Sequence, residues 1–197
     1  ALNIIKKGTN LSVYDIEKEK MQPHIKLGAV QGNNIKDTVK DAEIVVTMLP
    51  STENVKSVIT DPDGVLSYIK PGSIILDMST IAPTGTDEIY KICKQKDIDF
   101  IDAPVGRLVS HAISGDSLFM VGCDNEEAFK KIEPLLNAMG NTIIRCGKVG
   151  SGIRAKVVNN FQILSIAQIT AEALTLAEKI GLDLNTFKAV SYTHLRA

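Results

Sequence analysis

Residues 42–49 read Ala-Glu-Ile-Val-Val-Thr-Met-Leu, and Pro50 follows them directly. β-Branched side chains dominate this run, and such residues favour strands. Proline cannot continue a central strand, so the strand is expected to stop before residue 50. An apolar run of this length, bounded by a breaker, predicts a strand that is buried on both faces.

Comparable apolar runs flank this one and alternate with helical patterns. Further strands are predicted at 11–15, 73–77, 100–102, 117–122 and 141–145. Helical patterns lie near 16–22, 35–40, 52–59, 63–69, 84–95, 125–139 and 155–180. Buried strands that alternate with helices indicate a parallel sheet covered on both faces. The predicted fold class is therefore α/β, a Rossmann-like doubly wound parallel sheet.

The two ends of the chain predict an incomplete fold. Residues 1–8 resemble the last turn of a helix that Gly8 terminates, and a first strand with its phosphate-binding turn would precede it. We expect a truncated dinucleotide-binding domain at 1–149, the start of a helical domain at 150–189, and a non-native tail at 190–197. Within 150–189, a second helix is expected to begin after a cap at Asp183. That tail resembles a translated sequencing adapter, so His194 receives no role.

Composition excludes several classes of protein. The 197 residues carry a net charge of −1, which does not favour a nucleic-acid partner. No apolar run is long enough to cross a bilayer. The three cysteines are far apart and lack zinc-ligand spacing, so neither a disulfide framework nor a metal site is predicted. A reducing compartment fits best.

The stretch 150–160, Gly-Ser-Gly-Ile-Arg-Ala-Lys-Val-Val-Asn-Asn, is the strongest functional signal. Lys156 and Asn160 lie one helical turn apart and can address one small substrate. The residues that follow, 163–176, are apolar on nearly all sides, which predicts a buried helix. A solvated lysine on a polar face is the ordinary alternative, but a lysine near the start of a buried helix requires another explanation.

Three segments predict a cofactor site. Asp15 ends a strand where an acidic residue accepts hydrogen bonds from ribose hydroxyls, although it could equally cap the next helix. A 2′-phosphate would meet like charge there, so Asp15 favours NAD over NADP. Segments 47–50 and 77–80 end neighbouring strands, at the edge where such sheets bind ligands.

Taken in order, segments 13–15, 47–50, 77–80, 102–105, 119–122 and 150–160 resemble the β-hydroxyacid dehydrogenases. The resemblance covers roughly residues 1–189. It implies a Rossmann-like domain, a long helix that leads into an all-helical domain, and oxidation of small β-hydroxy acids by NAD or NADP without a metal. It also implies that Lys156 is catalytic, that Asn160 binds substrate, and that the dinucleotide contacts Met48, Leu49, Pro50, Asn54 and Thr80.

One segment departs from the family pattern. The family usually has Ser-Gly-Gly after the Asp-Ala-Pro-Val motif, and that loop holds the substrate carboxylate. Here the substrate-binding positions are Gly106, Arg107 and Leu108. Arg107 could pair with the carboxylate directly, or Arg107 and Leu108 could obstruct the site. His111 is a competing base, but the family has a small residue there, so we regard it as incidental.

The expected reaction is oxidation of 3-hydroxyisobutyrate, or a close β-hydroxy acid, with Lys156 as general acid and base. One alternative is reduction of tartronate semialdehyde, and another is a non-catalytic oligomerisation or chromatin-binding module. The chain alone is expected to be inactive and poorly stable. The parent protein is expected to form a homo-oligomer in a bacterial cytoplasm, or in a mitochondrial matrix if its source is eukaryotic.

Overall fold

The computed structural model describes residues 1–191. The chain divides into two compact units, Ala1–Lys156 and Val157–Ala197. The predicted boundary between 149 and 150 and the predicted non-native tail stay predictions. Residues 192–197 of that tail, His194 among them, lie outside the described residues, whereas residues 190 and 191 belong to the last helix.

The secondary structure alternates as predicted along most of the chain. The helices are α1 (Leu2–Lys6), α2 (Lys18–Ile25), α3 (Ile35–Val39), α4 (Thr52–Thr60), α5 (Pro83–Gln95), α6 (Val109–Ser114), α7 (Glu126–Met139), α8 (Ser151–Lys179) and α9 (Leu184–Ser191). The strands are β1 (Ser12–Val13), β2 (Val30–Gln31), β3 (Ile44–Thr47), β4 (Ile74–Asp77), β5 (Asp99–Asp102), β6 (Val105–Gly106), β7 (Ser117–Gly122) and β8 (Gly140–Gly147). The helix predicted at 63–69 is only a 3-10 turn, Val65–Ser67.

Two sheets organise the first unit. β1 and β2 form a parallel pair, and a six-stranded sheet has the order β3-β4-β5-β7-β6 with β8 beside β7. Among the described residues, neither β1 nor β2 pairs with the larger sheet. β3, β4 and β5 are parallel, but β7 runs antiparallel to β5 and β6.

The predicted Rossmann-like α/β fold with a parallel-strand sheet is confirmed, and β7 adds an antiparallel strand that the sequence did not predict. The reason lies in the link between β6 and β7, residues 107–116, which holds only the short α6. A parallel connection needs a crossover of a dozen residues or more, so this shorter link reverses the chain. β8 then returns parallel to β7 after the longer α7.

Apolar side chains cover both faces of the larger sheet, as predicted. Ile74 and Leu76 of β4 join a core cluster that includes residues of α7. Ile75, which points the other way in the same strand, packs in a second cluster with residues of α4 and α5. This double burial explains why the strands lack the alternation of polar and apolar residues that a one-sided sheet shows.

The helix-end signals were predicted correctly. Gly8 follows α1 with φ +81°, a left-handed conformation that favours glycine. Asp183 precedes α9, and its Oδ1 accepts a hydrogen bond from the N–H of Thr186 at 2.8 Å. Short polar side chains at such positions satisfy N–H groups that the helix itself leaves free.

The prediction that α8 is buried was wrong for its second-unit part. Leu164, Ile169 and Leu176 are 68%, 65% and 60% exposed. A helix that is apolar on all sides is expected to be covered by other elements. The described residues of the second unit cover little of this apolar surface. With 29 residues α8 still does not meet the criteria for a membrane-spanning helix, nor does any other helix in the described part.

Candidate active site

The register of the larger sheet places four strand ends in one row. Thr47 is opposite Asp77, Asp77 is opposite Asp102, and Asp102 is opposite Gly122. Neighbouring strands lie about 4.8 Å apart, so these polar side chains meet at one edge of the sheet. The edge is the carboxyl end of β3, β4 and β5, where the sequence predicts the cofactor.

The Asp77 carboxylate organises the first half of this row. It is 1% exposed, and its Oδ1 accepts hydrogen bonds from Thr47 Oγ1 at 2.9 Å and from Ser79 Oγ at 2.6 Å. Burial raises the pKa of Asp77, and these hydrogen bonds act in the opposite direction. The carboxylate therefore links the end of β3 to the loop that follows β4.

Two further hydrogen bonds fix the loops after β3 and β4 against each other. The N–H of Leu49 donates to Ser79 Oγ at 2.9 Å, and the N–H of Ala82 donates to Thr52 Oγ1 at 3.1 Å. Asn54 lies in the first turn of α4, where its N–H donates to Ser51 Oγ at 3.2 Å. The structure thus gathers most of the predicted dinucleotide-binding residues at one edge: Met48, Leu49, Pro50, Asn54 and Thr80.

Asp15 lies apart from this network. It follows β1, which belongs to the smaller sheet, and its Oδ1 accepts a hydrogen bond from the N–H of Glu17 at 2.8 Å. That bond shapes the turn before α2, whose N-cap residue is Glu17 and whose first turn has no side-chain cap, so the capping role considered for Asp15 is not present. Its cofactor role stays a prediction.

Asp102 joins the sheet to the start of α8. Its Oδ1 accepts from the N–H of Gly150 at 2.6 Å, and its Oδ2 accepts from the N–H of Ile153 at 2.7 Å. The side chain is 1% exposed, and burial raises its pKa to about 6. Sequence analysis placed this residue only within a motif, because its hydrogen-bond partners lie about fifty residues further along the chain.

A second contact holds the same helical turn. Arg154 pairs with Asp87 of α5 through two hydrogen bonds of 3.0 and 2.7 Å, and it also donates to the carbonyl oxygen of Gly150 at 2.9 Å. The Arg154 guanidinium holds the pKa of Asp87 below its ordinary value. This two-bond ion pair orients the first turn of α8 against α5. Because both side chains are exposed to solvent, the free energy that the ion pair contributes is small.

Lys156 follows this anchored turn and is half-buried. Burial lowers the pKa of Lys156 from its ordinary value, so the neutral amine is more accessible than in a solvated lysine. α8 is continuous through Asn160, so the predicted spacing of one turn between Lys156 and Asn160 is present along the helix.

The loop of Gly106, Arg107 and Leu108 has an unexpected conformation. Arg107 has φ +70°, a left-handed conformation that favours glycine, the residue that the family resemblance places there. Its guanidinium donates to the carbonyl oxygen of Asp116, to Asn141 Oδ1 at 2.7 Å and to Thr142 Oγ1 at 3.0 Å. Leu108 is 72% exposed.

These contacts support an internal role for Arg107, and we expect Arg107→Gly to leave the KM for the hydroxy acid nearly unchanged. Loss of three hydrogen bonds of about 1 kcal/mol each is partly offset by about 1–2 kcal/mol of relieved backbone strain. Urea unfolding should therefore show a small net loss of stability. A rise in KM of about tenfold or more, which one lost charged hydrogen bond would cause, would instead indicate contact with a substrate carboxylate.

His111 is engaged locally. The N–H of Leu108 points to His111 Nδ1 at 3.4 Å, a weak bond at the start of α6. This capping contact supports our view that His111 is incidental to the chemistry.

Comparison with known proteins gives the class of this domain. The family described as the NAD binding domain of 6-phosphogluconate dehydrogenase matches residues 1–147. The chain therefore belongs to this family of NAD-binding domains, and the prediction of NAD as the cofactor is confirmed.

Individual relatives indicate a narrower class of enzyme within this family. The chain is 38% identical over 184 residues to the NAD-dependent L-serine dehydrogenase of Pseudomonas aeruginosa, covering 93% of this chain and 61% of that protein. It is 39% identical to the probable mitochondrial 3-hydroxyisobutyrate dehydrogenase of Dictyostelium discoideum, with coverage of 93% and 57%. The solved structure of Mycobacterium tuberculosis 3-hydroxyisobutyrate dehydrogenase with L-serine superimposes with a TM-score of 0.88 at 33% identity, covering 96% of this chain and 64% of that one.

These names confirm the resemblance to the β-hydroxyacid dehydrogenases and the Rossmann-like fold. The chain spans about three fifths of the length of the curated relatives it matches.

Proposed function

We propose that the protein containing this chain oxidises a small β-hydroxy acid, with 3-hydroxyisobutyrate as the first candidate, and transfers the hydride to NAD. The observation that carries the proposal is the place of Lys156. It follows a helical turn anchored by Asp102 at the sheet edge where the loops after β3 and β4 converge. Burial lowers the pKa of this lysine, which suits it to accept a proton.

The carboxyl edge of the sheet suits a dinucleotide. Parallel strands bind such ligands outside their carboxyl ends, and here Met48, Pro50 and Thr80 are exposed on loops fixed by hydrogen bonds. We propose that these residues, with Leu49 and Asn54, hold NAD, and that Asp15 accepts hydrogen bonds from its ribose hydroxyls. NAD, when bound, supplies the acceptor for the hydride.

In this proposal Lys156 accepts the proton that the substrate hydroxyl releases. The substrate carbon that bears the hydroxyl gives up a hydride, and the hydroxyl proton passes to the neutral amine of Lys156. The products are the semialdehyde, NADH and the protonated lysine. In the reverse direction the ammonium returns that proton to the developing alkoxide.

We assign substrate binding to Asn160 and to the loop of Gly106, Arg107 and Leu108, on the strength of the family resemblance. The internal hydrogen bonds of Arg107 favour a supporting role for this side chain over direct contact. Substrate contacts from the loop would then come from its backbone N–H groups.

Other substrates fit the same chemistry. L-Serine is also a β-hydroxy acid, and one relative is named for its oxidation with NAD. Tartronate semialdehyde reduction is the same reaction class in reverse. A non-catalytic module has less support, because a half-buried lysine with a lowered pKa suits a catalytic base.

A panel assay of the full-length protein tests the proposal. We expect NADH formation from 3-hydroxyisobutyrate with NAD, and a lower kcat/KM with NADP, because Asp15 would repel the 2′-phosphate. L-Serine and, in reverse, tartronate semialdehyde with NADH serve as comparisons. A folded protein that binds NAD by calorimetry but turns over none of these substrates would favour the non-catalytic alternative.

A further inference from the structure

We propose that Asp102 is a positioning residue for this reaction: its buried carboxylate fixes the first turn of α8 and thereby the place of Lys156. The inference rests on the proposed function, because it takes Lys156 as the group that accepts the substrate proton. Asp102 does not itself touch the reacting atoms in this proposal.

Each oxygen of the Asp102 carboxylate accepts one hydrogen bond from the start of α8. Oδ1 accepts the N–H of Gly150 and Oδ2 accepts the N–H of Ile153, at 2.6 and 2.7 Å. These N–H groups belong to the start of α8, where a helix has free donors and a positive dipole end. Lys156 lies within one turn of Ile153, so a displacement of this turn carries the lysine with it.

Two glycines make room for the carboxylate. A Cβ on Gly122 of β7 would overlap Asp102 Oδ1, and a Cβ on Gly152 of α8 would lie 2.8 Å from Asp102 Oδ2. Neither position accommodates even an alanine while the carboxylate keeps its place. The same two Cβ atoms would also meet the carbonyl oxygens of Lys148 and Met120, so the glycines allow the sheet, the helix and this side chain to approach closely.

A role in stability alone does not explain this arrangement. Arg154 and Asp87 already hold the same turn from α5. The pKa of Asp102, raised from 3.8 to about 6, means that the folded protein binds this proton more readily than the unfolded chain. The contribution of Asp102 to stability thus declines as pH rises from about 4 to about 6, and the ionised form persists above that range at a cost.

The titratable neighbours of Asp102 come from three elements. Asp77 of β4 raises its pKa further, whereas the hydrogen bonds from Gly150 and Ile153 lower it. Cys146 of β8 and Arg154 of α8 interact with its charge. Desolvation is the largest cause of the shift, so the midpoint near pH 6 reflects burial more than any single neighbour.

Protonation should loosen the helix start. Above pH 6 both oxygens accept hydrogen bonds, but a protonated carboxyl has one oxygen that carries hydrogen and accepts poorly. One of the two N–H groups then lacks an acceptor. These two hydrogen bonds lower the pKa of Asp102 whereas its burial raises it, so protonation weakens the bonds even though it relieves the cost of burying the charge. The two hydrogen bonds to the first turn of α8 are therefore expected to weaken as pH falls through about 6, although the folded state as a whole favours the proton.

The test compares Asp102→Asn with Asp77→Asn in the full-length protein at pH 8. Both changes replace a buried carboxylate of the same row by an isosteric amide, but only Asp102 bonds to α8. We expect Asp102→Asn to lower kcat about 10- to 100-fold, as misplacement of a reacting group does. Its KM for NAD should stay nearly unchanged, whereas Asp77→Asn should mainly raise the KM for NAD, since it loosens the cofactor loops.

Hydrogen exchange gives a readout that needs no variant and no turnover. In the unmodified protein, protection of the Gly150 and Ile153 amides, corrected for intrinsic exchange rates, should fall as pH drops through about 6. In Asp102→Asn the protection should be lower and independent of pH in that range. Protection that is unchanged across pH 6 in the unmodified protein would overturn the proposal.

The outcomes separate this inference from the function on which it rests. If Lys156→Ala abolishes turnover and a folded Asp102→Asn keeps its kcat, the positioning role is refuted and the proposed function stands. If Lys156→Ala retains turnover, the role of Lys156 as the base fails and the positioning role fails with it, whereas the proposed oxidation itself stands. Should Asp102→Asn not fold, the exchange measurement on the unmodified protein decides.

Discussion

Replacement of Lys156 by alanine is expected to lower kcat by about 10²- to 10⁴-fold, the range that a general acid or base contributes. The KM for NAD should change little, because Lys156 lies on α8 and the proposed cofactor residues lie on the loops after β3 and β4. Stopped-flow measurement of NADH formation with 3-hydroxyisobutyrate would give both values.

The pH dependence of kcat adds a second readout for this lysine. The pKa of Lys156 is lowered from 10.5, so the neutral base is present at a lower pH than in a solvated lysine. Activity should rise with pH to a midpoint below that ordinary value. Lys156→Arg should be inactive across the range, because arginine keeps its proton. Lys148→Ala, at an exposed position, is the matched control and should retain activity.

If Lys156→Ala keeps its turnover, the base lies elsewhere. His111 is then the first alternative, and loss of activity in His111→Ala would identify it.

The second large effect is expected for Gly152→Ala, which should lower both stability and activity. Alanine favours an isolated helix over glycine by about 1 kcal/mol. Here, however, the added Cβ would overlap the carbonyl oxygen of Met120 and lie 3.0 Å from that of Asp102. Overpacking typically costs about 1–3 kcal/mol, and backbone atoms cannot rotate away, so we expect a net loss of about 1–2 kcal/mol in urea unfolding.

Gly85→Ala is the matched control for this prediction. It also adds a methyl group to a helix, but the nearest atom is the side-chain methyl group of Thr52, which can rotate at the cost of the hydrogen bond that its Oγ1 accepts from the Ala82 N–H. We expect a loss of stability below about 1 kcal/mol. Equal losses of stability in the two variants would contradict the prediction, because they would show that the backbone at the start of α8 accommodates the added methyl group as readily as the Thr52 side chain does.

The sequence predicted those parts of the fold that depend on local pattern. β-Branched runs located β3 and β4, and Gly8 and Asp183 marked helix ends, because each signal acts within a few residues. The reversal of β7 was not visible, since strand direction depends on the length and path of a connection. The exposure of α8 was not visible either, because composition does not state what covers a helix.

The candidate site divides in the same way. The strand-end positions of Thr47 and Asp77 followed from the predicted sheet, and the structure joins them by a hydrogen bond. The bonds from Asp102 to Gly150 and Ile153 could not be predicted, because they connect distant parts of the chain. The left-handed backbone at Arg107 is consistent with the glycine that the family resemblance places there.

The two carboxylates in the row of strand ends, Asp77 and Asp102, connect the proposed cofactor loops and the start of α8 electrostatically. Asp77 holds the loops proposed for the cofactor, Asp102 holds the helix of the proposed base, and each negative charge disfavours the other at a spacing of about one strand. Neutralising Asp77 therefore makes Asp102 a stronger acid and extends its ionised form to lower pH. A substitution at Asp77 would therefore change the pH at which the carboxyl group that anchors α8 titrates, without any change in the anchor itself or in Lys156.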